Sequence, residues 1–441
     1  MRIDLRMVTG TVVAAALALT TAADMLKLTA ATDRADALYR IGEEAVFTVT
    51  ASNATGGKAT AGRLAVTLDD WCRHTLVERT VDLAKENPFV VSGKLGEPGF
   101  VRLRVKGEGL EKPFLGGVAF EPERIVPGGT CPDDFDAFWR EAQAKLEAEV
   151  PLDPRLEHRP ERSTATYDFW RVSFATAGGR RVWGFMSVPK DKSKAPFPVS
   201  FEVASAGEGK WTMDMASGSP DRIRMYFTVH YFEPPATVPE LLVIRKKLSE
   251  DLKAKYGVAS YSAAGIAVSR EDYYFYPSIL GINRAVNWLW NRDDVDRTRF
   301  NYTGGSQGGG FGLYLCGLNP KFTSAVLNVP AICDTLGSLK GRICGFPYVL
   351  EMNRTKDRAA AALRNAPYFN GAFFASRIRC PIRFIIGFID EICPPPGIYA
   401  AYNNLASKDK GIVHGLVRGH GGWPEGRPAH DWQESRFFKT K

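Results

Sequence analysis

Cysteine and histidine are scarce in this chain: its 441 residues include seven of the first and six of the second. Neither set has metal-binding spacing. Cys72, Cys131, Cys316, Cys333, Cys344, Cys380 and Cys393 contain no Cys-x-x-Cys pair. His74, His158, His230, His414, His420 and His430 contain no His-x-His or His-Glu-x-x-His run. A zinc site of those kinds is excluded, and no metal is expected. Seven thiols spread over so long a chain do not make the dense disulfide framework of a small secreted domain, and an odd count leaves at least one free or intermolecular. Charge of one sign is not concentrated either. Lys and Arg number 57 against 49 Asp and Glu, a net +8 with no run of five basic residues, so no nucleic-acid partner is indicated. With 45% hydrophobic and 24% charged residues the chain is neither disordered nor collagen-like. Beyond residue 23 no apolar stretch is long enough to span a bilayer.

The start of the chain is informative. Arg2 and Arg6 precede an apolar stretch from Val8 to Leu19, followed by Thr20-Thr21-Ala22-Ala23. Basic residues, a short apolar core and small residues make the pattern of a secretory signal. Residues 1–23 are therefore expected to be removed and the mature chain to be secreted or periplasmic.

Residues 24–120 alternate apolar and polar side chains in short runs, as in Ala45-Val46-Phe47-Thr48-Val49-Thr50, Gly62 to Leu68 and Phe100 to Val105. Gly56-Gly57 and Gly96-Glu97-Pro98-Gly99 supply turns between such runs. This spacing predicts a small β-sandwich of immunoglobulin-like type with no chemical constellation of its own. Its expected role is structural or substrate-positioning. A proline- and glycine-containing linker over 121–130 follows. Asp133 or Asp134 then caps a helix running to about Ala148.

From 124 to 441 the pattern changes to alternating strands and helices. Phe169 to Phe174 and Val182 to Val188 read as a hairpin, and Pro198 to Val203 and Arg224 to Val229 as strands. Arg299 to Thr303, Ala325 to Val329, Ile382 to Ile386 and Gly411 to Val417 continue the series, with helices over Tyr274 to Trp290 and Gln307 to Leu318. Such alternation argues for one α/β domain with a mostly parallel sheet covered by helices.

Gly304-Gly305-Ser306-Gln307-Gly308 stands where a strand hands over to a helix. In that setting G-x-S-x-G forms a sharp elbow that presents the serine, and the flanking glycines let strand and helix close on each other. The elbow points to the α/β-hydrolase fold, with Ser306 as nucleophile. A serine hydroxyl is weak at neutral pH and needs a base and a group that orients it. In this fold the acid and then the histidine follow the serine on loops after later strands. Asp390, after the strand at Ile382, and His420, after the strand ending near Val417, fit those places. Glu391 is the rival acid, and His414 and His430 are rival histidines assigned structural places.

These segments resemble carbohydrate esterase family 7, the acetyl xylan esterase and cephalosporin-C deacetylase group, over roughly Pro127 to Trp423. The similarity lies in Pro132-Asp133-Asp134-Phe135-Asp136-Ala137-Phe138-Trp139, Asp272-Tyr273-Tyr274, Gly304 to Gly310, Asp390-Glu391-Ile392-Cys393-Pro394-Pro395 with Ala400-Ala401-Tyr402-Asn403, and Gly419-His420. The resemblance implies a cofactor-free serine esterase that deacetylates acetylated poly- or oligosaccharides. It also implies an oxyanion hole from the backbone N–H groups of Gln307 and Ala206, and it allows a homo-oligomer. Two departures bear on substrate. Ala204-Ser205-Ala206-Gly207 replaces the family's His-Gly-Tyr segment, and His230-Tyr231-Phe232-Glu233-Pro234-Pro235 stands where an Arg-Gly-Gln segment is usual. A serine peptidase of the same fold and a non-catalytic carbohydrate-binding protein are the competing classes.

Overall fold

The computed structural model describes residues 25–71, 74–207, 211–212 and 216–438. The expected signal, residues 1–23, and Cys72 lie outside the described residues. Strands β1 (Leu26–Thr32), β3 (Ala45–Asn53) and β6 (Phe89–Gly93) form a three-stranded antiparallel sheet. Strands β2 (Leu38–Tyr39), β4 (Arg63–Asp69), β5 (Thr75–Asp82), β7 (Gly99–Gly107) and β8 (Phe114–Phe120) form a second sheet in the order β2-β8-β7-β4-β5. Alternation decides the packing. Phe47, Val49, Phe89 and Val91 of the first sheet and Leu64, Val66, Leu68, Leu103 and Val105 of the second are buried. A Cβ built on Gly116 would stand 3.4 Å from both Leu103 and Phe47, so the two inner faces meet there.

The remainder is an α/β unit on a nine-stranded sheet. Its strands are β9 (Arg155–His158), β10 (Tyr167–Thr176), β11 (Arg180–Pro189), β12 (Phe197–Val203), β13 (Ile223–Phe227), β14 (Val295–Gly305), β15 (Ser324–Asn328), β16 (Ile382–Gly387) and β17 (Lys410–Gly415), ordered β17-β16-β15-β14-β12-β13-β11-β10-β9. The six strands from β17 to β13 run parallel, and β11, β10 and β9 add an antiparallel edge. Strand order reverses beside β12, whose two parallel neighbours are β13 and β14, and crevices at such reversals open beyond the strands' C-terminal ends.

Several boundaries differ from the sequence reading for physical reasons. Helix α1 (Phe135–Glu149) has Asp134 at its N-cap position, but that carboxylate accepts the Tyr368 hydroxyl instead of a helix N–H. The apolar positions of helix α2 (Val238–Tyr256), Leu241, Ile244, Leu248 and Leu252, stand among many charged residues, and of these only Leu241 and Leu252 are buried, so period marks it weakly. Its signal was a capping box instead: Thr237 and Glu240 cap each other's backbone, and Gly257 ends the helix in a left-handed conformation. Helix α3 (Phe275–Trp290) is buried along nearly its whole length, polar Ser278, Asn283 and Arg284 included. Strand β17 stops at Gly415, where a turn closed by Arg418 N–H begins. The six described cysteines are free.

Helix α4 (Gln307–Leu318) lies tightly against the sheet. A Cβ on Gly308 would come within 2.0 Å of the Val203 carbonyl oxygen, and one on Gly304 within 2.6 Å of the Gly308 carbonyl. Beyond β13, His230 is fully buried: its Nδ1 meets the Tyr274 hydroxyl at 2.9 Å, and its Nε2 has no partner. Burial, aided by the Arg245 charge, holds its pKa down from 6.5 to about 3.

Two outcomes are expected. Gly308→Ala forces backbone apart at the β12–α4 contact and should cost about 1–3 kcal/mol or more. Thermal unfolding followed by circular dichroism reads this as a melting point several degrees lower. For His230, the unfolded chain takes up a proton near pH 6.5 while the folded chain does so only near 3. Stability should therefore fall as pH drops through that window, by up to about 1.4 kcal/mol per pH unit from this group. Urea midpoints measured between pH 7 and 4 should decline less steeply in His230→Phe than in the parent chain.

Candidate active site

Ser306 occupies the turn between β14 and α4 with φ 53° and ψ −120°, a left-handed conformation costly for a residue with a Cβ. Hydrogen bonds hold it there: Ser306 N–H donates to the Asn328 carbonyl at 2.9 Å, and its own carbonyl accepts Gly310 N–H at 3.0 Å and Ala331 N–H at 2.9 Å. Val329, Ile332 and Tyr348 also have positive φ, of 38°, 66° and 54°. Strained backbone thus gathers in the loops after β15, whose Ala331 holds the elbow.

His420 Nε2 lies 2.9 Å from Ser306 Oγ, and His420 Nδ1 lies 2.9 Å from Asp390 Oδ2. Asp390 is fully buried, and its Oδ1 accepts the N–H groups of Ile392 and Cys393, both at 2.9 Å. The three residues named from the sequence are therefore brought into one hydrogen-bonded chain. Glu391 points the other way, onto Arg102 and Arg104. His414 bonds the Tyr399 hydroxyl at 2.7 Å, away from Ser306. His430 sits in a short helix, Arg427–Gln433, where burial lowers its pKa. The His420 loop is fixed by Trp423, which donates to Gly419 O, and by Asn328, which donates to Gly421 O. Asn328 thereby ties the serine turn and the histidine loop to one residue.

The loop after β12 reaches the elbow through side chains that sequence reasoning missed. Gln307 is fully buried; its Nε2 donates to Ala204 O at 3.1 Å and its Oε1 accepts the Tyr261 hydroxyl at 2.7 Å. Ser205 Oγ donates to Gly305 O at 3.0 Å, and Trp211 Nε1 donates to Ser205 O at 3.0 Å. Ala206, the next residue, is half-buried at the end of this pinned segment. His230 packs against Trp211, with ring centres 3.9 Å apart. The signal available for Tyr261 and Trp211 was only that they are large aromatics in loops, which carries no direction.

Asp390, Cys393 and His420 place donor atoms within 4.8 Å of one another. The carboxylate and imidazole are already bonded to each other and to Ser306, which leaves only the Cys393 thiol, short of the three or four ligands zinc takes. Burial pushes that thiol well above its ordinary pKa, so it is a neutral neighbour rather than a second nucleophile.

Comparison with known proteins agrees with this architecture. The acetyl xylan esterase (AXE1) family matches residues 124–415. Acetyl esterase Axe7A of Xylanibacter ruminicola is 27% identical over 395 residues, covering 89% of this chain and 86% of its own. The acetyl xylan esterase from Paenibacillus sp. R4 superposes with a TM-score of 0.59 at 25% identity, over 71% of this chain and 98% of that one. Acetyl xylan esterase 1 from Thermoanaerobacterium sp. JW/SL YS485 gives 0.55 at 19% identity, over 71% and 97%, and shares the fold. With a nine-stranded, mostly parallel sheet, a serine at the strand-to-helix elbow and a family match over more than half its length, this chain belongs to the acetyl xylan esterase (AXE1) family of carboxylic ester hydrolases.

Proposed function

We propose that this protein is a secreted serine esterase that removes acetyl groups from acetylated poly- or oligosaccharides of the xylan type. The observation that carries the mechanism is the unbroken chain Ser306–His420–Asp390 with both links at 2.9 Å. His420 takes the Ser306 proton as Oγ attacks the ester carbonyl. Buried Asp390 holds the imidazole tautomer and balances the cation that forms. The N–H groups of Gln307 and Ala206 receive the tetrahedral oxyanion, each such donor being worth about 3 kcal/mol. Tyr261, Gln307 and Ala204 form a bonded relay that keeps these two donor segments in register. His420 then protonates the leaving sugar alkoxide, and water, activated by the same imidazole, hydrolyses the acetyl-enzyme. Carbohydrate as substrate is supported by the family and by the names of the relatives. Export rests on the signal-like pattern of residues 1–23, and the N-terminal pair of sheets is read as an immunoglobulin-like sandwich.

Acetate release from acetylated xylan and other acetylated glycans, with peptide amides as a control arm, tests the reading. Ser306→Ala should lower hydrolysis of a small acetate ester by about 10⁴-fold or more, and Asp390→Asn by about 10³–10⁴-fold. Full activity in Ser306→Ala would remove the serine from the mechanism. Tyr261→Phe, which leaves the Gln307 amide short of one partner, should lower kcat with little change in KM. Steady-state kinetics on the same ester reads that split.

A further inference from the structure

The segment that carries Asp390 does not rest on the α/β sheet alone. In β7, Leu103 meets the neighbouring sheet, so by alternation Phe100, Arg102 and Arg104 project from the opposite face. All three reach the acid loop or the side chains beside it. Phe100 packs edge-on against Phe388 at 5.2 Å. Gly117, directly opposite Arg102 on β8, lies so close that a Cβ would stand 2.7 Å from the Phe388 carbonyl oxygen. Arg102 donates to Glu391 at 2.8 Å and to Asp69 at 2.9–3.0 Å, with its guanidinium 4.3 Å over the Trp71 ring. Arg104 donates to the same Glu391 oxygen. The N-terminal sheet therefore grips Phe388 on one side of Asp390 and Glu391 on the other. By contrast, none of the Phe, Tyr or Trp side chains among described residues 25–120 is exposed for stacking on a sugar ring.

We propose that Arg102, assisted by Arg104, is a positioning residue for the reaction: it clamps Glu391 so that the adjoining Asp390 carboxylate keeps its bond to His420. This rests on the Ser306–His420–Asp390 reading. Asp390 accepts from Ile392, Cys393 and His420 at once, so a small rotation of the 389–391 backbone spoils all three bonds. A displacement of about 1 Å at such a group costs about 10²-fold in rate. Arg102 is 9% exposed and the Glu391 side chain 43%, so the clamp can be opened from a buried or from a solvent-facing side.

The test compares Arg102→Ala, Arg102→Lys and Glu391→Ala with the parent chain on a small acetate ester, alongside labelling by a fluorophosphonate. Arg102→Ala and Glu391→Ala should lose about 10- to 100-fold in kcat with KM changed less than about twofold, and should label more slowly. Arg102→Lys should recover part of the loss. Glu391→Ala carries the test if Arg102→Ala does not fold, since it removes a half-exposed side chain. Folded variants with the parent kcat and labelling rate would overturn the clamp. So would losses that merely track the folded fraction measured by near-ultraviolet circular dichroism. A parent chain that neither hydrolyses the ester nor labels would defeat the acyl-transfer reading and the clamp together.

Discussion

The close approach of β12, β14 and α4 around Ser306 is the constraint on which the site depends. Three backbone segments meet where no Cβ fits at Gly308, and the chain turns from strand to helix in a single residue with φ 53°. A serine in that conformation is unfavourable in isolation, and here it is over-determined by bonds to Asn328, Gly310 and Ala331. The same contact brings the loop after β12 against the first turn of α4, so that Gln307 can bind Ala204 while Ser205 binds Gly305. Ser306 and the loop after β12 are thus placed by one piece of packing.

Asp390 is placed by a different one. Asp390 has no exposure, and its surroundings come from β16, from the Ile392–Cys393 turn, and from a sheet nearly 300 residues earlier in the chain. Strand β7 buries apolar residues on its inner face and presents Phe100, Arg102 and Arg104 on the other. That second face would be solvent in an isolated pair of sheets; here it lies against the α/β unit. Buried arginine with two carboxylate partners is expensive to assemble and specific in geometry, which suits a part that must hold one loop in one place.

Much of this was legible in the sequence because it depends on local rules. The elbow is written by glycines around a serine between a strand-like and a helix-like run, and its boundaries at Gln307 and Leu318 follow from that pattern. Parallel strands such as β15 and β16 read as short apolar runs because both faces are buried. Less was legible where polarity does not report burial. Helix α2 hides behind a mostly solvated surface, and Tyr261 and Trp211 sit in loops where aromatic character alone names no partner. Glu391 differs from Asp390 by one position and one methylene, and only the direction of its backbone separates their roles.

By itself, the sequence determined the alternation of strands and helices, the serine at their sharpest junction, and the order of acid and histidine after it, because period, turn chemistry and chain order are properties of neighbouring residues. The tertiary structure alone decided that Asp390 and not Glu391 faces His420, that Gln307 fastens two loops through Tyr261, and that Arg102 bears on the acid segment. Those facts arise from contacts between residues 30 to 289 positions apart, and such contacts exist only once the sheets have packed.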